Sequence, residues 1–315
     1  MLSKIIRLLI VVGTLSSCKF PTQEKRSIDD ATTSYKLQLQ PKTGSVYHYD
    51  IINSSAIELT ANDQETQTVT KTSAGINYIV GKDSAGNLVM DLKYTDLKLY
   101  TKNGDREQEL EATHSKVLVD PAEQMLTALQ DAQLQAIVSP TGEVIRLNGY
   151  NELSESLMAN LSSDNPQATE IAQQKIDQMI GDNLIKKNFS QLFRIFPDSI
   201  VRLGEKWKID SRASTDFLLN SVTYYELEDI NDGMATIRFT SEISSDKSIL
   251  MTFMGYTATS ELKGGQTGEY KIDITTGMLV VGETNGNLSG NLQIAGRTIP
   301  VTIKVTSDIK GEQKK

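Results

Sequence analysis

The chain has 315 residues, of which 38% are hydrophobic and 6% aromatic, with one Cys, two His, one Trp and seven Pro. Its formal net charge of −8 removes the basic footprint that nucleic acid or an anionic lipid surface would require, so no nucleic-acid partner is expected. A single cysteine excludes an internal disulfide and, with only two histidines, leaves no Cys/His zinc constellation; no metal and no cofactor is implied.

The chain begins with Lys4 and Arg7, a short apolar run from Leu8 and small residues before Cys18, the pattern of an export signal over residues 1–17. The uncharged stretch from Leu8 to Ser17 falls far short of the ~20 residues of a spanning helix. Residues 18–34 that follow are polar and aperiodic, so a flexible tether is expected there.

A single β-rich domain is expected over 35–310. In its first part, 35–118, the apolar period is two, as in Leu37/Leu39, Tyr47/Tyr49/Ile51 and Leu88/Met90/Leu92/Tyr94. Turns of the hairpin kind separate these runs, among them Lys42-Thr43-Gly44, Asp83-Ser84-Ala85-Gly86-Asn87 and Asn103-Gly104-Asp105. Asp120-Pro121-Ala122-Glu123 supplies an N-cap acid, a first-turn proline and an acid, and opens a helix through about Gln130. A short hairpin, Ala136-Ile137-Val138 with Val144 to Leu147, comes next. The chain then reads as helical from about Asn151 to Phe196, with a break at 162–166 and a stop at Pro197. From 204 to 310 the period of two returns in seven or eight strands with no helix between them, which dictates hairpin connections and an antiparallel sheet. The expected fold is therefore mainly β with inserted helices (α+β), a long curved antiparallel sheet or half-barrel packed on a central helical segment.

Two strings suggest that the β halves are related. Gly44 to Asp50 and Gly204 to Asp210 share Gly, an aromatic residue and Asp at the same offsets, and Tyr78/Gly86 and Tyr225/Gly233 repeat a spacing of eight. The alternative is the general similarity of antiparallel meanders.

Motifs for catalysis are weak. Ser244-Ser245-Asp246-Lys247, Ser163-Asp164-Asn165 and Lys42-Thr43-Gly44 spell the three strings of penicillin-binding serine chemistry, but in reversed order and with the nucleophile on a hairpin. His48 and His114 sit on a strand and at a strand end without a nucleophile elbow, and exposed positions are expected for both. An enzyme would need a cleft converging on one of them with an acid and a hydroxyl. The strongest pattern is apolar: Ile176, Met179, Ile180, Leu184, Ile185, Phe189, Leu192, Phe193 and Phe196 recur at spacings of three and four. Such a face either fills the concave side of the sheet or walls a cleft for an apolar ligand. In the second case Met179, Ile180, Leu184, Phe189, Leu192 and Phe193 would line it with the strand-like Met251, Phe253 and Met254.

Leu15-Ser16-Ser17-Cys18 resembles the lipobox of bacterial lipoproteins, and Cys18 is the only cysteine of the chain. The resemblance implies acylation of the Cys18 thiol, cleavage before it, palmitate-labelled attachment and a membrane as partner through the lipid anchor. Lys19 in the second mature position implies the outer membrane of a bacterial envelope. The absence of an acidic run directly after Cys18 implies that it faces the periplasm. The whole layout, with turns such as Tyr270-Lys271-Ile272-Asp273-Ile274-Thr275-Thr276-Gly277, resembles uncharacterised periplasmic lipoproteins of Bacteroidota-type bacteria. The architecture is similar to that of half-barrel lipoprotein carriers, in which a curved sheet is plugged by helices and holds lipid, although this chain carries its helices mid-chain and differs in length. The expected function is non-enzymatic binding of a lipid, other hydrophobic ligand or envelope component. The alternatives are a structural or accessory subunit bound to an envelope protein partner, and an enzyme.

Overall fold

The computed structural model describes residues 33–315 except 62–63, 116–119, 162–166, 168, 171–172, 174–175, 178–179, 215–218, 246–249 and 254–255. The export signal and the tether up to residue 32, Cys18 included, lie outside the described residues.

The first part of the chain forms β1 (Ser34–Tyr35), β2 (Val46–Ala61), β3 (Gln64–Lys82), β4 (Leu88–Asn103) and β5 (Arg106–Glu111). Its middle contributes α1 (Pro121–Asp131), the hairpin β6 (Leu134–Val138) and β7 (Val144–Asn148), then α2 (Tyr150–Leu161) and α3 (Asp182–Phe193). The remainder forms β8 (Val201–Arg202), β9 (Lys206–Ser214), β10 (Leu219–Asn231), β11 (Met234–Ser245), β12 (Met251–Phe253), β13 (Tyr256–Asp273), β14 (Leu279–Ile294) and β15 (Arg297–Lys314). Among the described residues no helix is long and apolar enough to cross a membrane.

Thirteen strands make one antiparallel sheet in the order β7-β6-β4-β3-β2-β15-β14-β13-β11-β10-β9, with β5 beside β4 and β12 beside β13. The sheet is not closed; β7 and β9 are its ends. Hairpins account for most neighbours, as the lack of intervening helices requires. The exceptions are β6, which pairs with β4 across β5 and α1, β13, which pairs with β11 across β12, and β15, which inserts between β14 and β2 and pairs with β2 from Val301 opposite Leu59 to Lys314 opposite Val46. β1 and β8 form a separate two-stranded pair.

Local chemistry explains the elements. In β10 the residues Leu219, Ser221, Thr223, Tyr225 and Leu227 are buried while Asn220 and Tyr224 face out, the alternation of a strand with one covered face. α1 starts as expected: Asp120 caps it through a 2.8 Å hydrogen bond accepted from the Ala122 N–H, and Pro121 occupies the first turn.

The second helical stretch departs from expectation. It does not run unbroken to Phe196, because Gly181 leaves the helical conformation and serves as the N-cap of α3. A Cβ on Gly181 would lie 2.3 Å from the Asp177 carbonyl oxygen, so the chain can tighten there only with glycine. Leu37 and Leu39 are likewise buried, at 3% and 2% exposure, but outside any strand. Their segment is held by the Leu39 N–H to Pro140 O (2.7 Å) and the Gln40 N–H to Thr276 O (2.9 Å).

The main core lies between the sheet and the helices. Tyr49 and Tyr78 from β2 and β3 meet Phe189 and Phe193 of α3 edge to face, with ring centroids 5.4 to 5.8 Å apart. Each such pair adds ~0.5–1.5 kcal/mol beyond the burial of area. After α3 the chain is tied to the sheet by the Trp207 indole N–H, which donates to the Ile195 carbonyl at 2.9 Å.

The turns at Gly44 and Gly204 share their hydrogen bonds. Gly44 N–H donates to Val80 O and Gly204 N–H to Leu227 O, both at 2.8 Å, and the return bonds run from Val80 to Ser45 O and from Leu227 to Glu205 O. Tyr47 then stands opposite Tyr78, and Trp207 opposite Tyr225.

Candidate functional site

The inward face of the sheet is apolar at both ends of the strands and polar in between. Two buried clusters occupy the ends. One is the main core; the other gathers Leu219, Ile243, Leu262, Leu288, Leu292 and Val301 with their neighbours. Between them runs a row of directly paired residues, Thr223, Ser241, Gln266, Gly286, Val305, Ser55 and Thr70, across seven strands. The adjacent row, Phe239, Gly268, Thr284, Ser307, Asn53 and Thr72, is also rich in hydroxyls and amides. A hydroxyl taken from water needs a partner, and the buried members have one: Thr223 Oγ1 and Ser241 Oγ are 2.8 Å apart, and Ser221 Oγ lies 3.4 Å from Thr223 Oγ1. Gly268 keeps the second row open, since a Cβ there would sit 2.5 Å from the Phe239 ring.

These rows wall a cavity of about 750 Å³, within the range of ~300–1,000 Å³ usual for small-molecule sites. Thr72 on β3 and Thr223 on β10 both line it. Those strands are six places apart in the sheet, about 29 Å if it were flat at ~4.8 Å per strand, so the sheet must curl for both to reach one cavity. Towards the second cluster it is apolar, with Ile57, Ile243, Leu288 and Ile303; Tyr225, Phe239 and Tyr270 close it towards the main core.

The opposite wall is α3. Asn183, Lys186, Lys187, Ser190 and Arg194 recur at spacings of three and four, share one face of the helix and all line the cavity. Lys186 donates to Asp182 at 2.6 Å and Arg194 approaches Glu143 at 3.3 Å, yet neither carboxylate belongs to the wall. Burial pushes the Tyr225 phenol up, reinforced by neighbouring Tyr270 and opposed by the charge of Arg194; Tyr270 is also raised by burial, against its hydrogen bond with Thr284. Both phenols are therefore neutral in the physiological range.

The residues singled out in the sequence are divided by this geometry. Ile180, Phe189, Leu192 and Phe193 are buried at 0–2% exposure inside the main core, and Leu184 is half-buried; none of the five lines the cavity. The apolar face of α3 packs on the sheet, and the cavity takes the polar face instead. Met251 and Phe253 lie on β12, their side chains not being among those described, and Met179 and Met254 fall outside the described residues.

His48, expected to be exposed, has a side chain only 16% accessible, with Nδ1 2.8 Å from Asn77 Oδ1 and Nε2 3.2 Å from Asp50 Oδ1. His114 is exposed, 3.1 Å from Asp131. Neither lines the cavity, and among the described residues no three His, Cys, Asp or Glu side chains gather into a possible metal site.

A sequence profile for DUF6263, a family of unknown function, matches residues 85–279, more than half of the chain. The chain belongs to the DUF6263 family. The region shared with DUF6263 proteins runs from the turn before β4 to the start of β14 and so contains α3 and the β10, β11 and β13 walls of the cavity. β2, β3 and β15 lie outside it. No curated protein matches the chain. Among solved structures it is similar to lipovitellin, in a study of lipid–protein interactions, at 11% identity and a TM-score of 0.48 over 87% of this chain and 25% of that one. The chain thus spans a quarter of the lipovitellin chain. It is also similar to OccK7 (OpdD) and OpdQ of Pseudomonas aeruginosa, at 5% and 6% identity, each with a TM-score of 0.22. These matches cover 85% and 87% of this chain and 99% and 100% of the other.

Proposed function

We propose that this DUF6263 protein is a non-enzymatic lipoprotein of the bacterial envelope that holds a hydrophobic ligand between α3 and the curled sheet. The observation that carries the reading is the cavity itself. It has the volume of a small-molecule site, one apolar end and convergent polar groups beside it, the composition of a binding site rather than of a fully packed core. Attachment would follow from the Leu15-Ser16-Ser17-Cys18 string. Two or more acyl chains on Cys18, at ~0.8 kcal/mol per buried CH₂, give stable anchoring to the outer membrane with the domain facing the periplasm.

Native mass spectrometry of the purified protein, followed by solvent extraction and analysis of the extract, tests the reading. A stoichiometric non-covalent adduct with an alkyl or acyl chain is expected. A protein that carries none, and takes up none when offered membrane extracts, would refute it.

An accessory role in an envelope complex has a separate support. The sheet is open at β7 and β9, and Ile145 on the edge strand β7 is 56% exposed. Crosslinking in intact cells should then capture a partner through β7; recovery of the uncrosslinked monomer alone would count against it.

A further inference from the structure

The wall of the cavity is electrically one-sided. The chain has 40 acidic and 32 basic residues, yet the described residues of the wall include Lys186, Lys187 and Arg194 and no Asp or Glu. Lys186 and Lys187 stand on α3 and Arg194 at its C-cap, and all three line the same space. A recess lined by a single sign of charge, with low-dielectric walls, concentrates ions of the opposite sign. On the sheet side, the row holding the Thr223 and Ser241 hydroxyls adjoins the apolar row of Ile243, Leu288 and Ile303, and both line the space that the cations line. Positive charge, hydrogen-bonding hydroxyls and hydrocarbon thus border a single space. The counter-charges of Lys186 and Arg194, on Asp182 and Glu143, stand outside it, so an incoming anion can join these pairs without displacing a carboxylate from the wall.

We infer that the ligand is an amphiphile with one acyl chain and an anionic head, the head held by Lys186, Lys187 and Arg194 and the chain laid against the apolar end at Ile57, Ile243, Leu288 and Ile303. This rests on the carrier reading above and adds to it the chemical class of the ligand. The head is a carboxylate or a phosphate, both of which accept charge-assisted hydrogen bonds from Lys and Arg.

Trp207, the only tryptophan, stacks on Tyr225 of the wall at a centroid distance of 5.6 Å and provides a built-in reporter. The full-length protein is titrated, by Trp207 fluorescence, with palmitate, palmitoyl lysophosphatidate, hexadecanol, acetate and inorganic phosphate. At least one of the two anionic amphiphiles is expected to bind about tenfold more tightly than hexadecanol. The tighter of the two identifies the head group. Acetate and phosphate are expected not to compete. The double variant Lys186→Gln/Lys187→Gln should lose most of that tenfold preference while binding hexadecanol as before; it leaves the Arg194–Glu143 pair and the core intact. Equal binding of hexadecanol and both anions, unchanged in the variant, would overturn the anionic head while leaving the carrier reading in place. Tight binding of acetate or phosphate alone would overturn the acyl chain. Binding of none of the five would overturn the carrier reading itself.

Discussion

Gly142 and Gly86 offer a matched pair for testing how α3 is held. Both occupy the same position of the same kind of hairpin turn. Gly142 N–H donates to Ser139 O and Gly86 N–H to Asp83 O, and in each turn the first side chain accepts from the N–H four residues on, Ser139 from Glu143 and Asp83 from Asn87. Their φ angles are 83° and 85°. An alanine at either pays the same left-handed strain, ~1–2 kcal/mol. The surroundings differ: a Cβ at Gly86 meets nothing within 4 Å, whereas one at Gly142 would lie 1.8 Å from the carbonyl oxygen of Phe193 and 2.8 Å from the Arg194 nitrogen. Real Cβ contacts essentially never fall below 3.0 Å, so about 1.2 Å must open between the turn and the end of α3. That displacement acts on Phe193 and Phe196, which are 0% and 3% exposed, and overpacking of this kind adds ~1–3 kcal/mol. Gly142→Ala is therefore expected to cost ~2–5 kcal/mol and Gly86→Ala ~1–2 kcal/mol, the former exceeding the latter by the ~1–3 kcal/mol of overpacking, measured as shifts of urea midpoints followed by Trp207 fluorescence and circular dichroism. Equal losses for the two variants would refute the close docking of the β6–β7 turn against α3.

Phe193→Ala should destabilise the fold by ~3–5 kcal/mol, because the cavity left behind also removes ring contacts with Tyr49, Tyr78 and Phe189; a loss below about 1 kcal/mol in the same urea assay would mean that α3 is not fastened by this cluster. Burial raises the phenols of Tyr49 and Tyr78, and that of Tyr94 to about 12. Stability from these groups is complete below pH ~10, where the unfolded chain also keeps its protons. Above that, each costs about 1.4 kcal/mol per pH unit until its folded-state pKa is reached. Steep alkaline unfolding between pH 10 and 12 is expected, coincident with phenolate absorbance; phenolates forming near pH 10 in a still-folded protein would contradict the burial. Cys18→Ala should abolish labelling by radioactive palmitate and release the protein from the membrane fraction, and persistent labelling would exclude the lipobox.

Much of the fold was legible because its signals are local. Period-two apolar runs, turn glycines and the Asp120-Pro121 start each act within a few residues, and the structure places strands, turns and α1 accordingly. The break at Gly181 was less visible, since one glycine inside an apolar three-and-four pattern costs a helix only ~1 kcal/mol and does not by itself end it. The cavity was hidden for a different reason. Ser221 and Thr223 keep the strand alternation of β10, and only the register that sets Thr223 against Ser241, and Ser241 against Gln266, turns scattered polar residues into a continuous row. On α3 the apolar face is the louder pattern, and nothing in the spacing alone sets Lys186, Lys187 and Arg194 apart from ordinary polar positions of a helix. The one available clue was that this polar stripe, from Asn183 to Arg194, contains no acid in an acidic chain.

The position of β15 governs how the molecule is assembled. β15 is the wedge between β2 and β14, so the meander of β2 to β4 and that of β9 to β14 remain two sheets with bare edges until β15 is in place. This pairing brings Lys314 beside Val46, a contact of very long sequence separation that makes folding slow and leaves long unpaired strands exposed to aggregation in the interval. A chain stopped before Arg297 would therefore keep every residue of the cavity wall on α3, β10, β11 and β13, yet be unable to join the halves that surround it.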